Sequence, residues 1–231
     1  MVAGRPAAKP ATAVEPSVAI LVDPDAPGYV SRGAHKLLGA LDRFGVPVAG
    51  RRCLDAGAST GGFTDVLLRR GAAAVVAVDV GYGQLDWSLR TDSRVVVLDR
   101  TNVRSLTPAD IGGLVDVTVA DLSFISLRLV LAALTACTRD DGDLLVMVKP
   151  QFEVGREAVG SGGVVRDPTL RASAVRDVAD AAGGLGWGTR GVVASPLPGP
   201  SGNVEYFLWL RPDAPPLQPD DVATAVAEGP A

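Results

Sequence analysis

The sequence predicts an α/β fold with a seven-stranded, mostly parallel β-sheet, helices on both faces and an antiparallel closing strand. From residue 51 onward, short runs rich in β-branched residues alternate with helical patterns, which is typical of a parallel sheet with crossover helices. A glycine-rich turn follows the first of these runs. The last two runs are joined by "PLPGPSG", a wide turn that favours antiparallel pairing over another crossover helix.

The individual elements follow from the spacing of apolar residues. Helical spacing predicts one helix over residues 63–68 and another over 127–134, and Pro168 begins a third that extends to about residue 182. A further helix begins near Ser31, which can cap it, and has an apolar stripe at Leu37 and Leu41. The strands are predicted at residues 52–56, 74–80, 95–98, 115–120, 144–149, 191–195 and 204–210.

The composition is that of a globular chain. At 231 residues with 47% hydrophobic residues, the chain can bury the core of one sizeable domain. Its apolar runs are far shorter than the ~20 residues of a membrane helix, and its start does not resemble a secretory signal, so we expect a cytoplasmic protein. A net charge of −4 argues against nucleic-acid binding by the whole surface. Cys53, Cys137 and the single histidine, His35, have no metal-ligand spacing, so we expect no metal.

The segment "CLDAGASTGGFTD" places Asp55 near the end of the first strand and a glycine-rich turn before the next helix. Such a turn lets a ligand approach the backbone and directs a helix N-terminus toward it. A dinucleotide-binding motif would need a glycine where Ser59 stands, which weakens that interpretation without excluding it. The turn also contains the G-x-S-x-G of α/β hydrolases, but their triad needs a histidine after the serine, and His35 precedes it.

S-adenosylmethionine (SAM) is the third ligand that this turn suits. Methyltransferases that use it have an acidic residue at the first strand and a carboxylate ending the second, and Asp55 and Asp79 fit these positions. An acid after the second strand also binds the ribose of NAD, so the turn alone does not separate the two cofactors. Asp99, Asn102 and Asp121 add polar groups after the third and fourth strands, where such sheets bind their ligands.

Lysine is rare in this chain, with three residues against 19 arginines. Lys149 ends the fifth predicted strand and Asp121 follows the fourth, so we expect the two side chains to lie side by side at the ligand edge of the sheet. In the seventh predicted strand, side chains alternate between the two faces, so Glu205 lies on the same face as Phe207. That face is apolar, and a carboxylate there needs a partner. Lys36 lies on the helix that begins near residue 31. An ordinary ion pair explains each residue alone, but the joint pattern suggests a site.

The order Lys36, Asp121, Lys149, Glu205 resembles the K-D-K-E tetrad of the FtsJ-like ribose 2′-O-methyltransferases. Five segments also resemble the TlyA family, whose members are ribosomal RNA cytidine 2′-O-methyltransferases and include proteins named hemolysins. They are "SRGAHKL", "DAGASTGGFTD", "ADLSFISL", "VKPQFEVG" and "GNVEYFLWLR". They occur in the family's order, and the resemblance covers about residues 29–211.

The resemblance implies a Rossmann-like SAM-dependent methyltransferase fold, S-adenosyl-L-methionine as cofactor, and ribosomal RNA in ribosomal subunits as partner. It implies a catalytic tetrad in which Lys149 lies nearest the 2′-hydroxyl, Asp121 orients it, and Lys36 and Glu205 are positioning partners. A lysine can give up its proton and act as a base, whereas arginine cannot, which accounts for a lysine at position 149. The expected cofactor-binding residues are Asp55, Gly57, Ala58, Ser59, Gly61, Gly62, Phe63, Asp79, Val80, Asp99, Asn102, Asp121 and Leu122. The expected RNA-binding residues are Arg32, Lys36, Arg156 and Arg166.

The resemblance also implies a division of the chain into three parts. Residues 29–212 form the methyltransferase domain, and residues 213–231 form a C-terminal tail with a weak helical pattern. The family carries an S4-type RNA-binding domain at its N-terminus, and we expect residues 1–28 to be only the residual tail of that domain plus a linker. Two other functions stay open on the residues alone: an NAD(P)-dependent Rossmann oxidoreductase, and a membrane-active hemolysin-like protein without enzymatic activity.

Overall fold

The computed structural model describes residues 28–230, so the predicted remnant of an S4-type domain lies, apart from Gly28, outside the described residues. The strands are β1 (Arg52–Ala56), β2 (Ala74–Val78), β3 (Val95–Leu98), β4 (Val115–Ala120), β5 (Thr138–Val148), β6 (Gly188–Ala194) and β7 (Tyr206–Arg211). The helices are α1 (Ala34–Phe44), α2 (Gly62–Arg69), α3 (Trp87–Arg90), α4 (Leu131–Cys137), α5 (Pro150–Glu153), α6 (Pro168–Gly183) and α7 (Pro219–Ala227). Short 3₁₀ turns cover Val103–Ser105, Leu127–Leu129, Arg156–Ala158 and Ser161–Gly163.

The seven strands form one sheet in the order β3-β2-β1-β4-β5-β7-β6. The first five strands pair in parallel, and β7 lies antiparallel between β5 and β6. The predicted seven-stranded, mostly parallel sheet with an antiparallel closing strand is confirmed. The strand order reverses between β1 and β4, and open α/β sheets bind their ligands in the crevice at such a point.

The sheet is covered on both sides. The face covered by α1, α2 and α3 is called the α1 face below, and the opposite face packs against α4, α6 and α7. Side chains along β5 alternate between the two faces, so this strand contributes to the hydrophobic core on each side of the sheet. Leu145 and Met147 are buried on the α1 face, whereas Leu144 and Val146 are buried on the other. Burial on both faces explains why the parallel strands read as continuous apolar runs.

The strand limits differ from the prediction in ways that matter for the site. β2 ends two residues before its predicted limit, β5 ends one residue before it, and β7 begins two residues after it. Asp79, Lys149 and Glu205 therefore lie just outside the strands, because the apolar pattern continues past the last pair of the ladder. β5 and β6 begin earlier than predicted, at Thr138 and Gly188, through polar residues that apolar patterning does not detect.

Three helices also differ from the prediction. α1 has no side-chain cap, so the predicted role of Ser31 is wrong, and its carbonyl oxygen instead accepts the Ala34 N–H at 3.2 Å. The helix predicted over residues 127–134 is a 3₁₀ turn followed by α4, because Val130, with φ of −119°, interrupts it. α3 was not predicted because a single turn capped by Asp86 is too short for a periodic pattern.

A buried carboxylate ties together the edge of the sheet opposite the ligand-binding crevice. Asp143, in β5, accepts hydrogen bonds from Arg51 at 2.5 Å, Arg211 at 2.9 Å and the Trp209 indole at 2.8 Å. Its side chain is 1% exposed, whereas the two arginines are about one quarter exposed. Three donors on one carboxylate offset the cost of burying its charge.

We expect Asp143→Asn to lower the free energy of unfolding by about 2–3 kcal/mol. Breaking a fully buried ion pair costs about 3–5 kcal/mol, and the partial exposure of the arginines reduces that cost. Urea denaturation measures it, with the exposed Asp140→Asn as a matched control expected to change stability by less than about 0.5 kcal/mol. Equal stability of the two variants would contradict a stabilising role for this cluster.

Candidate active site

Gly57 brings the carboxyl ends of β1 and β4 into contact. It is the first residue after β1 and has φ of +86°, in the left-handed region that favours glycine. A Cβ at this position would lie 2.5 Å from the carbonyl oxygen of Asp121, which is closer than any side chain can pack. Glycine is therefore required for the turn after β1 to lie against the segment after β4.

The Asp79 carboxylate closes the other side of the glycine-rich turn. It accepts the Ser59 N–H at 2.8 Å and the Gly81 N–H at 2.7 Å, one on each oxygen. Ser59 has φ of +49°, a conformation that costs a serine free energy, and the hydrogen bond to Asp79 helps to hold it. A carboxylate has about four acceptor positions, so Asp79 can accept further hydrogen bonds from a ligand.

A cavity of about 480 Å³, the first cavity below, lies against this turn. Its volume is within the range of about 300–1,000 Å³ that is usual for small-molecule sites. Its lining combines polar groups with the apolar side chains of Val103, Ile125 and Val130. Seven of the predicted cofactor-binding residues line it, namely Gly57, Ser59, Asp79, Val80, Asn102, Asp121 and Leu122.

The other predicted cofactor-binding residues do not line the first cavity. Gly61 and Asp55 lie away from its wall. Asp99 forms an ion pair with Arg90 at 2.8 Å, and the guanidinium holds the pKa of that carboxyl below its usual value. Asp99 would have to change partner before it could bind a ligand in this cavity. A second cavity is lined instead by Ala58, Gly62 and Phe63.

The second cavity, of about 270 Å³, adjoins the first and shares part of its wall. Lys36, Asp121 and Lys149 line it. The fourth member of the predicted tetrad, Glu205, is 1% exposed and is bonded to Lys36. The four residues that the sequence singled out are therefore gathered at one place.

Sheet alternation explains why three of the tetrad residues share the α1 face. Val119, Met147 and Phe207 are buried in the core of that face. Each of them is two residues along the chain from a member of the tetrad. Because side chains alternate with a period of two, the tetrad side chains follow the same face as they leave the sheet. α1 covers this face and supplies Lys36.

The tetrad forms two ion pairs. Lys36 Nζ lies 2.5 Å from Glu205 Oε2, and both side chains are almost fully buried. Lys149 Nζ lies 2.6 Å from Asp121 Oδ1. The expected contact of Asp121 with Lys149 is thus present, and the partner that Glu205 needs is Lys36. Pairing offsets the desolvation cost of placing these charges inside the protein.

Sequence patterns did not identify several cavity residues, including Gln84, Thr101, Ser123 and Phe124. Ser123 Oγ accepts a hydrogen bond from Lys149 Nζ at 2.9 Å. Phe124 is 91% exposed and has φ of +64°. Ser123 and Phe124 lie shortly after the fourth strand, where such sheets bind ligands, and this position was the available signal for them.

The predicted RNA-binding residues have different surroundings. Arg32 lines the second cavity. Lys36 is paired with Glu205, so its charge is already balanced. Arg166 lies in the connection between α5 and α6, where its carbonyl oxygen accepts a hydrogen bond from Arg171. The side chain of Arg156 is outside what the structure describes.

Asp55 is a fully buried acid beneath the glycine-rich turn. Thr64 Oγ1 donates to Asp55 Oδ2 at 2.7 Å, whereas Oδ1 has no hydrogen-bond partner. Burial raises the pKa of this carboxyl to about 7, and the hydrogen bond from Thr64 opposes that rise. Asp55 therefore links β1 to α2 through Thr64 and does not line the first cavity.

Three further features concern candidate metal ligands, thiols and membrane spans in the described part of the chain. Within residues 28–230, no three His, Cys, Asp or Glu side chains are arranged to hold a metal ion. Burial raises the pKa of Cys53 to about 12 and that of Cys137 to about 11, so both thiols stay protonated near neutral pH. In the same residues, no helix has both the length and the apolarity needed to cross a bilayer.

The sheet order and the position of the cavities define a Rossmann-like methyltransferase fold. The structure aligns with fibrillarin from Aeropyrum pernix, which was solved with natively bound S-adenosyl-L-methionine. The TM-score is 0.51, over 77% of this chain and 75% of that one. At 17% sequence identity, this likeness shows the fold alone.

The chain belongs to the FtsJ-like methyltransferase family, whose model matches residues 29–212. It is 64% identical, over 98% of its length and 87% of the relative's, to the 16S/23S rRNA (cytidine-2′-O)-methyltransferase TlyA of Mycobacterium tuberculosis. It is also similar to a solved hemolysin-named protein from Streptococcus thermophilus, with 42% identity and a TM-score of 0.83 over 87% of this chain and 74% of that one. The family predicted from the sequence motifs is confirmed.

We expect Asp55 to make stability depend on pH. The pKa of its carboxyl is about 7 in the folded chain against an ordinary value of 3.8, so its contribution is fully present below about pH 4 and is lost as pH rises through 7. Relative to Asp55→Asn, which stays neutral, the wild-type free energy of unfolding should fall by up to about 4 kcal/mol over this window. Urea denaturation of both proteins between pH 4 and 8 measures this, and a constant difference would contradict the assignment.

Proposed function

We propose that this chain catalyses SAM-dependent methylation of a ribose 2′-hydroxyl, on a cytidine of ribosomal RNA. The observation that carries this function is the wall shared by the two cavities, where Asp121 holds the Lys149 amine beside a site of cofactor size. The 64% identity to a protein named as an rRNA (cytidine-2′-O)-methyltransferase supports the substrate.

The first cavity has features that fit SAM. Gly57 leaves open a space that a side chain would fill, and Asp79 keeps acceptor positions for the two ribose hydroxyls of the cofactor. Val103, Leu122 and Ile125 offer apolar surface suited to an adenine ring. When bound, SAM supplies an electrophilic methyl group on a sulfonium.

Lys149 is the residue that we assign to the target hydroxyl. Methyl transfer requires the hydroxyl oxygen to be in line with the methyl carbon and its proton to be removed. The Lys149 amine lies at the wall of the second cavity, and its contact with Asp121 fixes its position. A neutral amine can accept the proton of the target hydroxyl, which a guanidinium cannot do.

Lys36 and Glu205 act as positioning partners in this proposal. Lys36 lines the same cavity as Lys149, so its ammonium can donate to the ribose or stabilise negative charge that develops on the reacting oxygen. Glu205 holds Lys36 through their short ion pair. A rigid pair of this kind favours the transition state because little reorganisation is needed during the reaction.

The RNA is proposed to reach the second cavity as a splayed nucleotide. Proteins that recognise RNA sequence commonly bind unstacked nucleotides in this way. The proposed phosphate contacts are three arginines. Arg32 lies at the cavity wall, and Arg156 and Arg166 lie in the connection between α5 and α6. Ribosomal subunits as substrate imply a cytoplasmic enzyme. The family membership does not favour an NAD(P)-dependent oxidoreductase or a purely membrane-active protein.

We expect Asp79→Asn to weaken SAM binding by about 10-fold or more, because hydrogen bonds to a charged group are lost. Isothermal titration of SAM into each protein measures this. Asp99→Asn is the matched control and should change the affinity little, since Asp99 is paired with Arg90. Titration with NAD(P) tests the other cofactor, and tight NAD(P) binding without SAM binding would overturn the proposed function.

We expect Lys149→Ala to lower methyl transfer by about 10²-fold or more, the usual scale of general-base catalysis, while SAM affinity stays close to that of wild type. Transfer of labelled methyl from SAM to purified ribosomal subunits under single-turnover conditions measures the rate. Lys149→Arg keeps the positive charge but cannot act as a base, so it should lose nearly as much activity. Substantial activity in Lys149→Arg would instead favour electrostatic positioning.

A further inference from the structure

Four residues line both cavities: Gly57, Ser59, Asp121 and Ser123. In the proposed function the methyl donor occupies the first cavity and the target nucleotide the second, so the reacting oxygen must lie near this shared wall. Two of the four offer a hydroxyl. Ser59 Oγ lies 3.5 Å from Gln84, whereas Ser123 Oγ lies 2.9 Å from Lys149 Nζ. Ser123 is thus the hydroxyl of the shared wall that contacts the proposed base.

The contacts of Lys149 provide a donor and an acceptor for each proton that methyl transfer would move. A neutral amine has two N–H groups and one lone pair. In the structure Lys149 Nζ donates to Ser123 Oγ at 2.9 Å and lies 2.6 Å from its ion-pair partner Asp121 Oδ1. When the amine is neutral this hydrogen bond can reverse, so that the lone pair accepts the hydroxyl proton of Ser123. Ser123 Oγ then keeps a free lone pair at the wall of the cavity. That lone pair can accept a proton from a hydroxyl in the cavity.

The segment that carries Ser123 is held in place by other contacts. Glu153 is buried, and its carboxylate accepts the Ser126 hydroxyl at 2.6 Å and the Leu127 N–H at 2.7 Å. Arg128 lies 3.6 Å from the same carboxylate. The position of the segment therefore does not depend on the Ser123 hydroxyl, which is left available for another role.

We propose that Ser123 relays the proton of the target hydroxyl to Lys149, a role that rests on the proposed function. The O–H bond of the ribose breaks as Ser123 Oγ accepts its proton. The proton that Ser123 carried passes to the neutral amine of Lys149, which becomes an ammonium paired with Asp121. The electron pair of the ribose oxygen forms the new bond to the methyl carbon, and the pair of the broken C–S bond stays on sulfur, which leaves as a neutral thioether.

The kinetic test compares Ser123→Ala, Ser123→Thr and Ser126→Ala. We expect Ser123→Ala to lower the single-turnover methyl-transfer rate by about 10²-fold, as for loss of a group that handles the transferred proton. Ser123→Thr keeps a hydroxyl and should retain most of the rate. Ser126→Ala removes a hydroxyl from the same segment, but the Leu127 N–H and Arg128 still hold the segment to Glu153, so this variant should also retain most of the rate. SAM affinity should be the same in all three.

A second test follows Lys149 itself, without any substrate. The chain has three lysines, so ¹³C-lysine labelling gives three sets of NMR signals, and Lys149→Arg identifies the one that belongs to Lys149. The Lys149 ε-carbon signal should move in Ser123→Ala and return toward its wild-type position in Ser123→Thr. The Lys36 signal should stay in place and serves as the internal control, because Lys36 is paired with Glu205.

The outcomes separate the relay from the proposed function. If Ser123→Ala transfers methyl at the wild-type rate, or if it loses rate with an unchanged Lys149 signal, the relay is overturned and the proposed function stands. If Ser126→Ala loses as much rate as Ser123→Ala, the effect belongs to the segment and the relay is also overturned. If the wild-type protein transfers no methyl to ribosomal subunits, the proposed function fails and the relay fails with it.

Discussion

The buried ion pair between Lys36 and Glu205 joins parts of the chain that are 169 residues apart, and it fixes the helix that closes the second cavity. Neither charge could be buried alone, because an unpaired ion in a protein interior is strongly destabilising. α1 must therefore dock where Lys36 reaches the start of β7. In that position its first residue, Ala34, packs against the first turn of α2, where a Cβ at Gly62 would lie 3.0 Å from the Ala34 nitrogen. Together with the buried Leu37 and Leu41 of α1, this ion pair therefore constrains both the placement of α1 and the wall of the cavity.

The two ion pairs also set the charge of the site. Lys36 and Lys149 are balanced by Glu205 and Asp121, so the four side chains together carry no net charge when all are ionised. In the proposed function, two unbalanced lysines would repel the sulfonium of a methyl donor in the first cavity. Balanced lysines can still donate hydrogen bonds to a ribose oxygen. The carboxylates therefore position the lysines and also make a cationic methyl donor compatible with them.

The sheet could be predicted because its information is local. Each strand contains a short apolar run next to a turn. The neighbouring positions of Asp121 and Lys149 follow from strands four and five being adjacent. The site was harder because its details depend on contacts between distant segments. Arg90 forms an ion pair with the Asp99 carboxylate. Arg90 lies on α3, a one-turn helix that is too short to have a periodic signal. Ser123 contacts Lys149 from an irregular segment after β4, in which Phe124 has positive φ, and apolar periodicity does not predict such a segment.

Pro150, the residue after Lys149, affects both the local geometry at the end of β5 and a contact between distant segments. A residue before proline is disfavoured in the helical region, and Lys149, just after β5, has φ of −111° and ψ of 100°. Its backbone therefore stays extended and its side chain stays on the α1 face. Pro150 has no N–H to donate to a further strand pair, and its fixed φ suits the first position of α5. One turn later, Glu153 reaches the segment that carries Ser123. The stretch "KPQFE" therefore places Lys149 at the cavity wall and also anchors the segment whose hydroxyl contacts it.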